Sequence, residues 1–266
     1  MTESRLVRIG LRVMTAITLA FIYVPLVILA IYAFNPSRSQ VWPPSGFSLR
    51  WFGEAFTNPS VLGAFFTSIL AATGATAIAV ILGTAAALGV SRFAFFGRET
   101  ISFLLVLPIA LPGVITGIAL SATFQTIGID FGLATVIVGH ATFCVVIAYN
   151  NVVARLRRSQ RSTEEASADL GADTFHTFRW VTLPVMRTAL LSGALLAFAL
   201  SFDEVIVTNF TAGPGTQTIP LWILSAIQRP QELPVVNVVA LVLIVLSVIP
   251  VYLAERIAGA ESATIR

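Results

Sequence analysis

Long uncharged apolar runs alternate along this chain with polar connections that carry arginine. A helix needs roughly 20 apolar residues to cross the hydrocarbon of a bilayer. The runs at 13–37, 55–91, 101–129, 131–154 and 233–254 all reach that length. A further run, 188–212, is interrupted only by Asp203 and Glu204. The pattern predicts six helices near 13–35, 64–90, 101–124, 131–154, 185–209 and 234–256. Pro25, Pro108 and Pro112 fall inside helices, which neighbouring helices allow by satisfying the freed backbone groups. The reading is an all-α membrane protein. Its segments are an N-terminal helix with an outer interfacial loop over 1–60, a membrane domain over 61–256 and a tail over 257–266.

Composition agrees with a lipid-embedded chain. Charged residues make up 11% of the 266 positions, against about 25% in soluble proteins. Mean hydropathy is +0.89. One cysteine, Cys144, excludes an internal disulfide. Every basic residue is arginine, and the distribution sets an orientation. With the N-terminus inside, the inner segments hold Arg5, Arg8, Arg12, Arg92, Arg98, Arg155, Arg157, Arg158, Arg161, Arg179, Arg187, Arg256 and Arg266. The outer loops hold only Arg38, Arg50 and Arg229. By the positive-inside rule both termini are cytoplasmic. The first apolar run is too long for a cleaved signal peptide and reads as an uncleaved helix. The outer loop over 36–60 carries Trp42, Pro43, Pro44, Trp51 and Phe52, as an interfacial segment does.

The cytoplasmic connection over 155–187 is long and patterned. Ser162 with Glu165 reads as a capping box, Gly171 as a helix stop and Asp173 as the cap of a second short helix over 174–181. That helix is expected to end before Pro184. Leu170, Phe175, Phe178 and Trp180 form an apolar edge that suits a cytoplasmic partner, or else headgroups beneath an amphipathic connector.

Glu165, Ala166 and Ser167, then three residues, Gly171, nine residues, and the run Val181, Thr182, Leu183, Pro184 resemble the EAA loop of bacterial ABC-importer permeases. Ser167 and Val181 depart from the usual alanine and isoleucine. Within that family the chain is most similar to the second permease of spermidine/putrescine importers. The runs carrying this are 107–117 (LPIALPGVITG), 201–208 (SFDEVIVT) with Thr211, Ala212 and Gly213, and 49–52 (LRWF). The resemblance implies the type I importer permease fold in a bacterial inner membrane. Glu165, Ala166, Ser167, Gly171, Phe175, Leu183 and Pro184 would form the coupling segment that seats in an ATPase subunit. A second permease, two ATPases and an extracytoplasmic binding protein would complete the importer. The implied solute is a polyamine, with ferric iron, sulfate or an amino-acid-like solute as alternatives on the same scaffold.

Ionisable residues at membrane depth are costly and tend to face a pathway or a partner. If hydrocarbon begins near Thr188, Asp203 lies about 22 Å along the helix. Asp203 and Glu204, about 100° apart on a continuous helix, are the candidate cation pathway. His140 and Cys144 share a face of the fourth helix without a third ligand in view, and core packing is the favoured reading. Gly74, Gly83 and Gly89 read as close-packing sites. Without any lysine there is no P-loop, so ATP must be bound and hydrolysed by a separate subunit and no cofactor is expected in this chain. A membrane-embedded enzyme would have only His140, Asp203 and Glu204 to work with, on different helices and outside any motif.

Overall fold

A computed structural model describes the backbone over residues 5–264 and the side chains over 5–256. The expected tail over 257–266 therefore lies outside the described side chains. Its backbone extends the last helix to Thr264.

The described residues fold as helices joined by short connections. In order these are α1 (Arg5–Ala33), α2 (Arg50–Thr57), α3 (Pro59–Arg92), α4 (Arg98–Ala110), α5 (Gly113–Thr126), α6 (Leu133–Arg158), α7 (Ser162–Asp169) and α8 (Thr174–Thr177). A π-helical turn (Phe178–Thr182) leads into α9 (Leu183–Phe202), followed by α10 (Ile206–Thr211), α11 (Ile219–Ala226) and α12 (Leu233–Thr264). Five helical stretches are long and apolar enough to cross a membrane. The pair α4 and α5 passes the same test jointly, bent by 105°. The chain divides into two compact units, Met1–Leu62 with Ile223–Val245 and Gly63–Trp222 with Leu246–Arg266.

Two of the six expected helices are not single rods. The third is cut at Leu111 and Pro112. A residue before proline is pushed out of the helical region, and Leu111 sits at φ −82°, ψ 143°. The fifth ends at Phe202 and restarts at Ile206, with Asp203 and Glu204 in the gap. The expected stop before Pro184 is absent, because α8 runs through the π turn into α9. Leu183 N–H donates to the Phe178 carbonyl, five residues back. The widened turn removes the need for the N–H that Pro184 lacks.

In the first unit, α1 buries only Ala33. The loop after it is organised by Asn35, whose side chain accepts from Ser45 Oγ at 3.0 Å and donates to the Ser39 carbonyl at 3.2 Å. Trp51 corrects the reading of this loop as an interfacial belt. It is fully buried, and its indole N–H donates to the Asn35 carbonyl at 2.8 Å. Trp42 is exposed, as that reading required.

The second unit is centred on α6, which packs along α9. Ala79, Phe143, Cys144, Ala197 and Val207 form one buried cluster. Ala87, Val90, Tyr149, Val152, Leu156 and Met186 belong to another. Close approach depends on glycine. A methyl group on Gly83 would lie 2.8 Å from the Tyr149 backbone nitrogen, and one on Gly74 would lie 2.9 Å from Ile137. A methyl group on Gly89 would meet nothing within 4 Å beyond its own helix turn, so Gly89 is not a close-packing site among the described residues.

Candidate functional site

The loop between α6 and α9 folds as two short helices around a glycine. Gly171 adopts φ +86°, a conformation that favours glycine, and ends α7 as expected. The capping box does not form. Arg161 occupies the cap position of α7 with no side-chain bond, so Ser162 is already helical. Asp173 does cap α8, accepting the His176 backbone N–H at 2.7 Å, with the His176 ring Nδ1 at 2.9 Å. These contacts hold the Asp173 carboxyl below the usual carboxylate range.

Of the residues expected to couple, Glu165 and Ala166 face outward on α7, and Ser167 Oγ lies 3.1 Å from Thr177 Oγ1, tying the two short helices together. Leu170, Phe175 and Trp180 are exposed, Leu170 at 90%. Phe178, expected on the same edge, instead packs on the cluster around Met186. Leu183 is half-buried and Pro184 exposed at the head of α9.

Sequence reasoning missed the anchor of this loop. Glu164 Oε1 accepts from Arg92 Nη2 at 2.6 Å and from Thr182 Oγ1 at 2.9 Å. The pair is largely shielded, with side-chain exposures of 16% and 19%. It joins the end of α3, the helix α7 and the π turn. Glu164 and Arg92 stand 72 residues apart, so no local pattern announced their contact. Nearby, Arg155 Nε donates to the Val185 carbonyl at 2.8 Å.

Asp203 and Glu204 lie in the gap between α9 and α10, not 100° apart on one helix. Glu204 Oε1 accepts the Val207 N–H at 2.9 Å, so this carboxylate caps α10. Asp203 is exposed; its backbone N–H donates to the Ala199 carbonyl at 3.2 Å, and its carboxylate makes no hydrogen bond or ion pair among the described residues. Behind the gap stands His140. Its Nδ1 lies 2.7 Å from Ser201 Oγ and its Nε2 2.8 Å from Thr208 Oγ1. Thr208 gives its one proton to the Glu204 carbonyl at 2.9 Å. In the neutral ring, Nε2–H therefore donates to Thr208 and Nδ1 accepts from Ser201. His140 thus clasps both sides of the gap from α6. Cys144 is buried, and its Sγ contacts the Ala197 carbonyl at 3.3 Å. Both residues sit in the core as the sequence reading favoured. A histidine at membrane depth must find polar partners, which was the available signal for Ser201 and Thr208.

The second half of the third span completes the surroundings. A methyl group on Gly117 of α5 would lie 2.6 Å from the Phe210 ring, and Gly139 of α6 faces Val207 at 3.1 Å. The gap is therefore framed by α5, α6, α9 and α10.

Residues 79–259 match the family described as "Binding-protein-dependent transport system inner membrane component". The chain is 37% identical over 228 residues to the putrescine transport system permease protein PotI of Escherichia coli K12, covering 83% of this chain and 80% of the relative. It is 34% identical over 256 residues to the spermidine/putrescine transport system permease protein PotC of the same strain, covering 96% and 95%. Among solved structures, a chain of a bacterial ABC transporter involved in the import of the acidic polysaccharide alginate superposes with a TM-score of 0.72 at 16% identity, covering 98% and 99%.

Proposed function

This chain belongs to the family of inner-membrane components of binding-protein-dependent transport systems, and from that premise we propose that it is a permease subunit importing a polyamine such as putrescine or spermidine. It forms the pore with a homologous second permease, with both termini cytoplasmic. Two ATPase subunits bind and hydrolyse the ATP, and an extracytoplasmic binding protein delivers the solute. The observation that carries the solute class is the 37% identity to a putrescine permease over 228 residues.

The coupling surface is Glu165, Ala166, Ser167, Gly171, Phe175, Leu183 and Pro184. Exposed Leu170, Phe175 and Trp180 supply apolar anchors of the kind that dominate protein interfaces. Movement of the loop reaches the spans through Glu164, which is bonded to Arg92 of α3 and Thr182 of the π turn. ATPase closure thus becomes a rigid-body rearrangement of the helices.

Asp203 is the acid of the cation pathway. Its carboxylate is exposed and unpaired among the described residues, whereas Glu204 is committed to α10. A carboxylate lowers the barrier for a multiply charged amine if binding stays weak enough for release. The test is uptake of labelled putrescine, spermidine and a panel of iron, sulfate and amino-acid solutes by a strain lacking this gene, with and without complementation. Polyamine uptake should return with the parental gene and fall at least tenfold with Asp203→Asn. Restored uptake of another solute, with none of a polyamine, would refute the solute class.

A further inference from the structure

We propose that a cavity between the ends of α3, α4 and α6 binds a phosphate group, the chemistry shared by an anionic phospholipid headgroup and free phosphate. The cavity measures about 80 Å³. Arg92, Arg98 and Arg157 line it beside Ser91, with Val90, Val153 and Leu156 as apolar lining; Arg92 is part-buried, and Arg98 and Arg157 are exposed at the rim. That volume holds several waters or one tetrahedral oxyanion.

The charges around the cavity are unbalanced. Arg92 spends Nη2 on Glu164, but its Nε is buried and has no acceptor. Arg98 and Arg157 form no ion pair with a carboxylate among the described residues. Glu99 is not among the lining residues. Three arginines line one small space, and a buried N–H without an acceptor, as at Arg92 Nε, is costly. One oxyanion answers this, because guanidinium groups present paired N–H donors that match phosphate oxygens. The positive-inside rule needs only exposed arginines, which Arg98 and Arg157 are, and does not account for the buried Arg92 Nε.

Position supports a membrane source as well as a soluble one. The cavity lies where three apolar helices end, and basic pockets between such helices bind lipid headgroups. It is also at the foot of the coupling loop, since Arg92 carries both the cavity and the bond to Glu164. A bound phosphate would brace that bond by satisfying the remaining face of the same guanidinium. The site does not depend on which solute the importer carries, and its test is read without transport.

The experiment uses the assembled importer purified in detergent. One arm measures equilibrium binding of labelled inorganic phosphate. The other measures phosphatidylglycerol retained per complex after exchange into phosphatidylcholine. Both are run on the parental chain, on Arg157→Gln and on Arg98→Gln with Arg157→Gln; Arg92 is left intact to keep the loop anchored. We expect the parental complex to bind at least one probe above the double variant by tenfold or more, with Arg157→Gln between them. A difference confined to phosphatidylglycerol identifies a headgroup site, and one confined to phosphate identifies a free anion. Should the double variant fail to assemble, Arg157→Gln alone must show at least a threefold loss. Equal binding of both probes by parental and variant complexes, or binding of neither by the parental complex, overturns the proposal.

Discussion

Gly83 and Gly89 both belong to α3, yet a methyl group added to each meets opposite surroundings. At Gly83 it would press on the Tyr149 nitrogen at 2.8 Å and the Val145 oxygen at 2.9 Å, and backbone cannot turn aside. Gly83→Ala should cost about 1–3 kcal/mol by overpacking. At Gly89 the added methyl group would meet nothing within 4 Å beyond its own helix turn, so Gly89→Ala should be neutral or gain up to about 1 kcal/mol from the helix backbone. Thermal unfolding of the chain in detergent measures both, and equal shifts would contradict the packing. His140 offers a second test. His140→Leu keeps the volume but leaves Ser201 without its acceptor and Thr208 without its donor. A loss of about 1–2 kcal/mol is expected. At this scale the sequence singled out the right residue types without their partners. Three glycines on one helix look alike until the facing helix is in place, and Trp51 read as an interfacial aromatic because its acceptor, the Asn35 carbonyl, is backbone.

Some elements with a local cause were legible, although the capping box read at Ser162 and Glu165 did not form. Gly171 and Asp173 marked the turn between α7 and α8 because a positive φ and a side-chain cap are properties of single residues. Gly171→Ala places no atom near another but forces an alanine to φ +86°, a strain of about 1–2 kcal/mol. Amide exchange over 166–172 should quicken, while Gly171→Asn should remain near parental. Asp173 gives the loop a pH dependence. Its carboxyl is held low by the His176 N–H, so its stabilisation is present above the ordinary carboxylate value and is lost as pH falls through the depressed one. Protection of the amides over 174–177, taken relative to their intrinsic exchange rate at each pH, should fall on acidification, and Asp173→Asn should flatten that response. Elements whose cause was not local were misread. The fifth span breaks where Glu204 folds back on α10, and α8 continues into α9 because a π turn accommodates Pro184. Hydrophobic periodicity registers apolar length but neither kind of interruption. The break at Pro112 was within reach, since a residue before proline resists the helix.

For the whole molecule, apolar length sufficed for the all-α membrane class, and the spacing from Glu165 to Pro184 carried the family resemblance. The long-range ties did not show. Arg92 to Glu164 and His140 to Ser201 connect residues far apart in the chain, and such contacts leave no periodic trace. Those ties make the loop over 155–187 and the gap at Asp203 parts of one packed unit, as the proposed transmission from an ATPase to a pathway would require. The most direct measurement follows ATP hydrolysis and putrescine uptake together in proteoliposomes containing the assembled importer and its binding protein, with Gly171→Asp as the variant. Aspartate tolerates a positive φ better than most residues, so its effect there reports bulk and charge at the ATPase contact more than backbone strain. The account predicts uptake by the parental complex that requires both ATP and binding protein. It predicts loss of uptake with Gly171→Asp, with the chain still inserted and ATPase association weakened. Parental uptake without ATP, or undiminished uptake by Gly171→Asp, would contradict it.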